Sequence, residues 1–160
     1  LCYNYCKYTP NYGYRTLPAW AQTTLSSHES DARPLLPSDQ DLAAGRTGNQ
    51  VWDTLQQSLV AHGELHNNLR MTWGKAFLQW SERPACALDL ALAINDRFAL
   101  DGSDPCSVGG VFWCFGLFDG PKTPEKHIIG TVRPRPTDTI STRYNYDDLA
   151  AVLAATPSLD

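Results

Sequence analysis

The sequence predicts a mainly α-helical fold built as one domain. Three long consecutive segments carry apolar residues at helical spacing, glycine or proline separates them, and no segment shows sustained strand-like alternation or an internal repeat. With 160 residues and 42% hydrophobic content, the chain is long enough to bury a core of its own.

The first part of the chain contains two short predicted helices. Residues 1–16 are rich in aromatic side chains and lead into a turn at TPNYGY. A helix is predicted over 18–27 with Pro18 in its first turn, where the N–H that proline lacks is not needed. After the loop in ARPLLPSDQDL, a second short helix is predicted over about 39–45.

The three long helices follow. Asn49 is suited to cap a helix that runs through QVWDTLQQSLVAHG and ends at the final glycine of that stretch. The next helix is predicted over 65–81. Pro84 begins a third, which is predicted to run to Asp101 and to stop at Gly102.

The remainder of the chain gives weaker signals. GSDPCSVGG is predicted to be a loop, since it lacks the glycine and lysine spacing of a phosphate-binding loop. VGGVFWCFGLF fits a short buried helix or a strand equally well. IIGTVRPRPT is extended at best, and YDDLAAVLAA is predicted to form the last helix.

Charge, hydropathy and cysteine content exclude several classes of protein. A net charge of −4 gives no general attraction to nucleic acid or anionic membrane, so a DNA site would need a local basic patch. No apolar run suggests a membrane span or a signal peptide. Five scattered cysteines without metal-ligand spacing indicate reduced thiols in an intracellular protein, and no metal is expected. The first residue is not methionine, which suggests a piece of a longer protein.

One face of the second long helix carries polar residues that a buried face would not be expected to hold. Helical spacing places on one stripe His66, Arg70, Trp73, Phe77 and Trp80. An arginine there needs a carboxylate, which Asp96, Asp101 or Asp104 could supply. Spacing alone fits a structural ion pair between two helices equally well.

A buried amide and three indoles extend this pattern. Asn95 lies on the apolar face of the third helix and must find hydrogen-bond partners, either in the backbone or in the polar edge of a ligand. Trp73 and Trp80 stand two turns apart, about 10 Å along the same face, and Trp52 lies on the preceding helix. The indoles could relay an electron or could simply form core.

These residues resemble a known family. TGNQVWDTLQQSLVAHGELHNNLRMTWGKAFLQW, followed by ALDLALAINDRFALDGSDPCSVGGVFWCFG, is similar to the C-terminal FAD-binding domain of DNA photolyases and cryptochromes. The opening LCYNYCKYTPNY and the LDGSDP segment resemble class II photolyases most, whereas HNNLRM is nearer the HNRLRM form of other classes. The resemblance covers about residues 1–136.

The resemblance implies an FAD site. It places Arg70 against the flavin ring and paired with Asp101, and Asn95 beside the flavin N5; Met71 also borders the cofactor. It also implies an electron relay in which Trp73 is nearest the flavin, Trp52 follows, and Trp80 lies at the surface.

The resemblance further implies a DNA partner, a pyrimidine dimer flipped into a pocket. Trp113 matches one aromatic wall of that pocket, and Tyr3 stands where the family often has a second, usually tryptophan. Asn67 and Met71 match residues that line it. Asn68 stands where many members carry arginine.

The implied organisation is a partial helical FAD-binding domain over residues 1–156, truncated at its N-terminus, with a tail at 157–160. The family's α/β antenna domain and its FAD phosphate-binding segment would precede this sequence. The implied activity is that of a light-driven deoxyribodipyrimidine photo-lyase, present as a monomer. A cryptochrome-like light sensor without repair activity and an inactive fragment are the alternatives.

Overall fold

The prediction of a mainly α-helical fold is confirmed. The computed structural model describes residues 1–138, 140 and 146–155, and the predicted tail at 157–160 lies outside them. Within the described residues there is no strand, only one isolated bridge between Lys126 and Gly130. The helices are α1 Cys2–Tyr8, α2 Ala19–Ser27, α3 Asp39–Ala44, α4 Gln50–His62, α5 Asn67–Trp80, α6 Pro84–Phe98, α7 Pro105–Cys114 and α8 Tyr146–Ala154.

Helix α5 lies at the centre and packs against α4, α6 and α7, while α3 and α8 pack on α4. The predicted cap of α4 is present, since the Asn49 side chain accepts a hydrogen bond from the Trp52 N–H at 3.0 Å. At the other end, Gly63 has a φ of 71°, which only glycine adopts without strain. The core between these helices contains Trp52, Trp73 and Phe77, all fully buried.

Helix α1 was not predicted. Its seven residues have too few apolar positions to show a helical period, and the packing of the segment on α7 stabilises it. The Tyr5 ring lies 5.4 Å from that of Phe112, and an added Cβ at Gly109 would lie 2.6 Å from Cys2 Sγ. A short helix therefore forms here because a neighbouring helix has a glycine at the contact.

The predicted loop at 102–110 is wrong beyond its first residues. Asp104 Oδ1 accepts a hydrogen bond from the Cys106 N–H at 2.7 Å, and Pro105 occupies the first helical position of α7. The aspartate cap and the proline after it favour a helix strongly enough that the segment is helical despite the two glycines that follow. Helix α6 likewise ends at Phe98 and not at Asp101, and the intervening residues form turns.

The segment that follows α7 folds back onto α2 without forming a strand. The Thr24 hydroxyl accepts a hydrogen bond from the Thr131 N–H at 3.0 Å, and Asp31 Oδ2 accepts one from the Ile128 N–H at 2.8 Å. Among the described helices, none has the length and apolar character needed to cross a bilayer.

Candidate functional site

A cavity of about 190 Å³ lies between α5 and α7. Five of the residues predicted to form a site line it: Asn67, Arg70, Met71, Trp73 and Asp101. Gly74 allows the two helices to approach, because a Cβ there would lie 2.7 Å from Cys114 Sγ. The volume is below the ~300–1,000 Å³ usual for pockets that enclose a whole ligand, so the cavity has room for a single ring system.

Arg70 forms the ion pair that the sequence predicted. Its Nη1 lies 2.8 Å from each carboxylate oxygen of Asp101 and donates to Ser107 Oγ at 3.1 Å. Its Nε is buried and has no hydrogen-bond partner among the described residues. A buried donor without a partner is costly, so this edge of the guanidinium is available to an acceptor in the cavity.

Asn95 is fully buried, as predicted, on the α6 face that meets α7. Its Nδ2 donates to Gly102 O at 3.0 Å and to Ser107 Oγ at 2.9 Å, whereas its Oδ1 has no partner among the described residues. Asn95 itself does not line the cavity, but Ser107 does. The Ser107 hydroxyl thus connects Asn95 to Arg70.

Sequence reasoning missed Ser107. The available signal was its position near the start of α7, immediately after the Asp104–Pro105 pair that begins the helix. Once that helix start is recognised, the hydroxyl is known to project from the first turn. Its pairing with both polar residues still depends on how α5, α6 and α7 pack.

The three predicted relay tryptophans lie in one cluster. The Trp52 and Trp73 rings are stacked with centroids 6.5 Å apart, and Trp80 packs edge-on to Trp52 at 5.4 Å. Trp73 borders the cavity, so the order Trp73, Trp52, Trp80 leads away from it.

The prediction that Trp80 lies at the surface is wrong. Trp80 is only 6% exposed and packs in the core, edge-on to Trp52. Pro37 and Leu42 border the same groove as the Trp80 ring.

A second missed residue is Gln56, which is fully buried on α4. Its Oε1 accepts a hydrogen bond from Trp73 Nε1 at 2.8 Å, and its Nε2 donates to Ala43 O at 2.9 Å. The sequence signal was a glutamine one position beyond Leu55 on the face of α4 that packs inward. Gln56 fixes the orientation of the indole next to the cavity.

The residues predicted to bind substrate are only partly brought together. Asn67 and Met71 border the cavity, whereas Trp113 and Tyr3 do not. Trp113 is 40% exposed and lies edge-on to Phe118 at 6.1 Å, and Tyr3 is 64% exposed on α1. In the described part of the chain, no ring contact joins the two predicted aromatic walls.

His66 does not belong to the buried stripe in which the sequence placed it. It is exposed and precedes the first residue of α5, where its Nδ1 accepts a hydrogen bond from the Asn68 N–H at 3.3 Å. The helix begins one residue later, at Asn67, and His66 is its N-cap. The described residues contain no group of three or more potential metal ligands.

Lys75 is an unexpected buried cation behind the cavity. Its Nζ donates to Cys114 O at 2.6 Å, at the C-terminus of α7, where a positive charge is favourable. Burial lowers the pKa of Lys75 to about 8. Burial also raises the pKa of the Cys114 thiol to about 11, so this cysteine is a packing residue and not a reactive thiol.

The fold and the site define a helical domain with an indole cluster beside a small polar cavity. No family model matches the chain. Over 149 residues it is 38% identical to a deoxyribodipyrimidine photo-lyase from Methanothermobacter thermautotrophicus, covering 92% of this chain and 33% of that protein. The enzymes of the same name from Potorous tridactylus and Oryza sativa are 39% and 35% identical, and each match covers 81% of this chain.

The chain spans about a third or less of the length of these relatives. Over the residues it shares with them, the chain belongs to the photolyase family. The resemblance inferred from the sequence motifs is therefore confirmed at the level of the family.

Proposed function

We propose that this chain is the FAD-binding part of a deoxyribodipyrimidine photo-lyase of the class II type, which splits cyclobutane pyrimidine dimers in DNA. The names of its relatives support the reaction. The observation that carries the proposal is the contact between cavity and indoles: Trp73 borders the cavity and stacks on Trp52. An aromatic relay next to a ring-sized cavity is what light-driven flavin chemistry requires.

The polar groups around the cavity fit the edge of a flavin ring. Arg70 lines the cavity, and its Nε is a buried donor without a partner among the described residues. Asn95 does not line the cavity, but its Oδ1 is a buried acceptor without a described partner, and its Nδ2 donates to the lining residue Ser107. A flavin ring offers both carbonyl acceptors and N–H donors along one edge, and Met71 supplies an apolar surface at the same cavity. Arg70 and Met71 would hold the ring, with Asn95 placed behind Ser107, while the phosphates and adenine would need groups beyond a cavity of this size.

When bound and reduced, FAD supplies the electron that, after light absorption, opens the cyclobutane ring of the dimer. The protein contributes position and polarity. Asp101 and Ser107 hold the Arg70 guanidinium at the cavity, and Ser107 also orients the Asn95 amide. Trp73, Trp52 and Trp80 provide a path for electrons between the cavity and the end of α5.

Substrate binding is proposed for the mouth of the same cavity. Asn67 and Met71 lie one turn apart on α5 at its rim, and the exposed Trp113 offers a ring on which a base can stack. Tyr3 is a second exposed ring on α1, available for the same purpose. We also propose that the protein is a monomer and is intracellular, and the five free thiols of the described chain support the second point.

The test begins with flavin retention. The purified chain is incubated with FAD, desalted, and illuminated with blue light in the presence of a reductant. Retained flavin absorbance that bleaches in the wild type and in Trp20→Phe, but not in Trp73→Phe, is expected. Trp20 is the matched control because its indole lies outside the Trp52–Trp73–Trp80 cluster. Loss of all flavin on desalting, or equal bleaching in Trp73→Phe, would contradict the assignment of the site.

A light sensor without repair activity is the second candidate function. It is favoured by one observation, the separation of Trp113 and Tyr3 from the cavity, since the indole cluster alone suffices for photoreduction. Illumination of the FAD-loaded chain with an oligonucleotide that contains a thymine dimer separates the two. Restoration of intact thymines supports the lyase, and photoreduction without repair supports the sensor.

A further inference from the structure

Arg135 reaches back from the segment after α7 to lie over helix α5. Its Nε donates to Thr72 Oγ1 at 3.0 Å, and its Nη2 donates to Asn68 Oδ1 at 3.1 Å. Thr72 in turn donates to the backbone carbonyl of Asn68 at 3.2 Å. Two neutral acceptors one helical turn apart therefore hold the guanidinium in a fixed orientation.

The charge of Arg135 is not neutralised. No carboxylate among the described residues forms an ion pair with it. Arg133, two residues earlier, differs because it binds both oxygens of Asp119, at 2.9 and 3.1 Å. Arg135 therefore has its full charge available for an anion, and no hydrogen bond in the described residues uses its Nη1.

Arg135 lies beside the cavity. The two residues that hold it are next in sequence to Asn67 and Met71, which line the cavity rim. Cys114, which lines the cavity from α7, gives a second indication that Arg135 is near. Burial raises the pKa of that thiol, and the positive charges of Lys75 and Arg135 oppose the rise.

The chemistry of this position favours a phosphate. A chain of net charge −4 repels DNA overall, so a strand that approaches the cavity needs a local cation. A pre-oriented guanidinium fork matches phosphate oxygens better than a flexible ammonium does. Asn68 contributes no charge itself, but it holds an arginine that comes from a distant part of the chain.

We propose that Arg135 binds one backbone phosphate next to the pyrimidine dimer and thereby positions the strand over the cavity. This inference rests on the proposed function, since it assumes that the cavity receives a damaged base. Arg135 acts through the position of the strand and does not touch the reacting bonds. The contact is to a phosphate, so it carries no base specificity of its own.

Phosphate neutralisation tests the contact. Oligonucleotides that contain one thymine dimer are made with a single methylphosphonate at each linkage around the dimer in turn, and their affinities are measured by fluorescence anisotropy. In the wild type, one such linkage is expected to weaken binding about tenfold, the loss of one charged hydrogen bond. In Arg135→Gln the same linkage is expected to have no effect, because the partner is already absent.

Matched variants complete the design. Arg133→Gln, whose arginine is already paired with Asp119, keeps the methylphosphonate effect. Arg135→Lys retains the charge without the fork and gives a smaller effect at the same linkage. Asn68→Arg in the Arg135→Gln background restores the effect, because it returns a guanidinium to the same point. Circular dichroism and the thermal midpoint show that each variant is folded.

The outcomes separate this proposal from the proposed function. If every methylphosphonate weakens the wild type and Arg135→Gln equally, or if the wild type binds no DNA, the Arg135 contact is refuted. If dimer-containing and undamaged oligonucleotides bind equally well but one linkage remains coupled to Arg135, the phosphate contact stands and dimer recognition fails. Preference for the dimer together with coupling to one linkage supports both.

Discussion

The indole planes of Trp52 and Trp73 lie within 5° of parallel, with ring centroids 6.5 Å apart. Both rings are fixed by hydrogen bonds as well as by packing. Trp52 Nε1 donates to Trp73 O at 3.0 Å, and Trp73 Nε1 donates to Gln56 Oε1 at 2.8 Å. The pair therefore has one buried geometry, and its contribution to light-driven chemistry can be tested separately from its contribution to stability.

Replacement of Trp52 by phenylalanine should interrupt the relay while leaving the cavity intact. Trp52 does not line the cavity, so Trp52→Phe is expected to retain flavin as the wild type does. A phenyl ring is much harder to oxidise than an indole, so photoreduction should fall to the background level of Trp73→Phe. Absorbance spectra recorded before illumination and at intervals during it measure both the flavin retained and its photoreduction.

Phe77→Leu provides the control for packing, since the Phe77 ring contacts both indoles, at 4.9 Å to Trp73 and 5.7 Å to Trp52. It disturbs the same cluster without removing a redox-active ring. The Trp52→Phe variant should lose less stability than the ~3–5 kcal/mol of a full truncation to alanine. Photoreduction of Trp52→Phe at the wild-type rate would exclude Trp52 from the relay.

Gln56 should be more important for stability than its polar character suggests. Gln56→Met conserves the length of the side chain but leaves the Trp73 N–H and the Ala43 carbonyl without their partners. An unsatisfied buried group costs ~1–3 kcal/mol, so the free energy of unfolding should fall by at least that amount. Urea denaturation followed by tryptophan fluorescence measures it.

The neighbouring Gln57→Met is the matched control. Gln57 lies on the same helix and donates to Gly45 O at 2.8 Å, but its side chain is exposed, so water replaces the lost bond. The free energy of unfolding of Gln57→Met should stay within about 0.5 kcal/mol of the wild-type value. Equal costs for the two variants would show that the Gln56 hydrogen bond contributes nothing particular.

The long helices were predictable because their signals are local. Helix α4 has its cap at Asn49 and its terminator at Gly63 within the segment itself, and α5 carries its own apolar period. The Arg70–Asp101 pair was predictable in part for a related reason. A guanidinium on such a face requires a carboxylate, and few candidates follow in the chain.

The remaining features depend on contacts between distant segments. Helix α1 exists because Gly109 leaves room for Cys2, and Trp80 is buried because it packs in the core against Trp52 on another helix. The hydroxyl of Ser107 and the amide of Gln56 became site residues only through packing. No spacing along the sequence encodes these pairings, since their partners are on other helices.

Asp101 should support ligand retention more than folding. Its carboxylate is half exposed, so Asp101→Asn is expected to cost about 1 kcal/mol or less of stability, and less still at high salt. Flavin retention after desalting should fall more clearly, because the Arg70 guanidinium loses the partner that holds it at the cavity. Asp96→Asn is the control, since Asp96 binds Ser103 and not Arg70. Equal retention in both variants would contradict the positioning role of Asp101.

Because Lys75 is buried, we expect the free energy of unfolding to rise as the pH increases above 8. Burial lowers its pKa from the ordinary 10.5 to about 8 in the folded chain, so between these values the unfolded chain binds more protons. The free energy of unfolding therefore increases with pH across that window. From pH 8 to pH 9 the gain should be about 1 kcal/mol relative to Lys75→Met, which has no amine to titrate.

Ionisation of the Cys114 thiol changes the stability in the opposite direction, and this limits the pH range of the test. Its thiol has a pKa raised by burial from 9.0 to about 11, so the folded chain keeps that proton longer and loses stability as the pH rises through this range. The thiol is present in both wild type and Lys75→Met, and its contribution cancels in their difference below pH 9. Urea unfolding at intervals between pH 7 and pH 9 decides the question. A constant difference between wild type and Lys75→Met over this range would show that the buried amine titrates at its ordinary pKa, and that water reaches it behind the cavity.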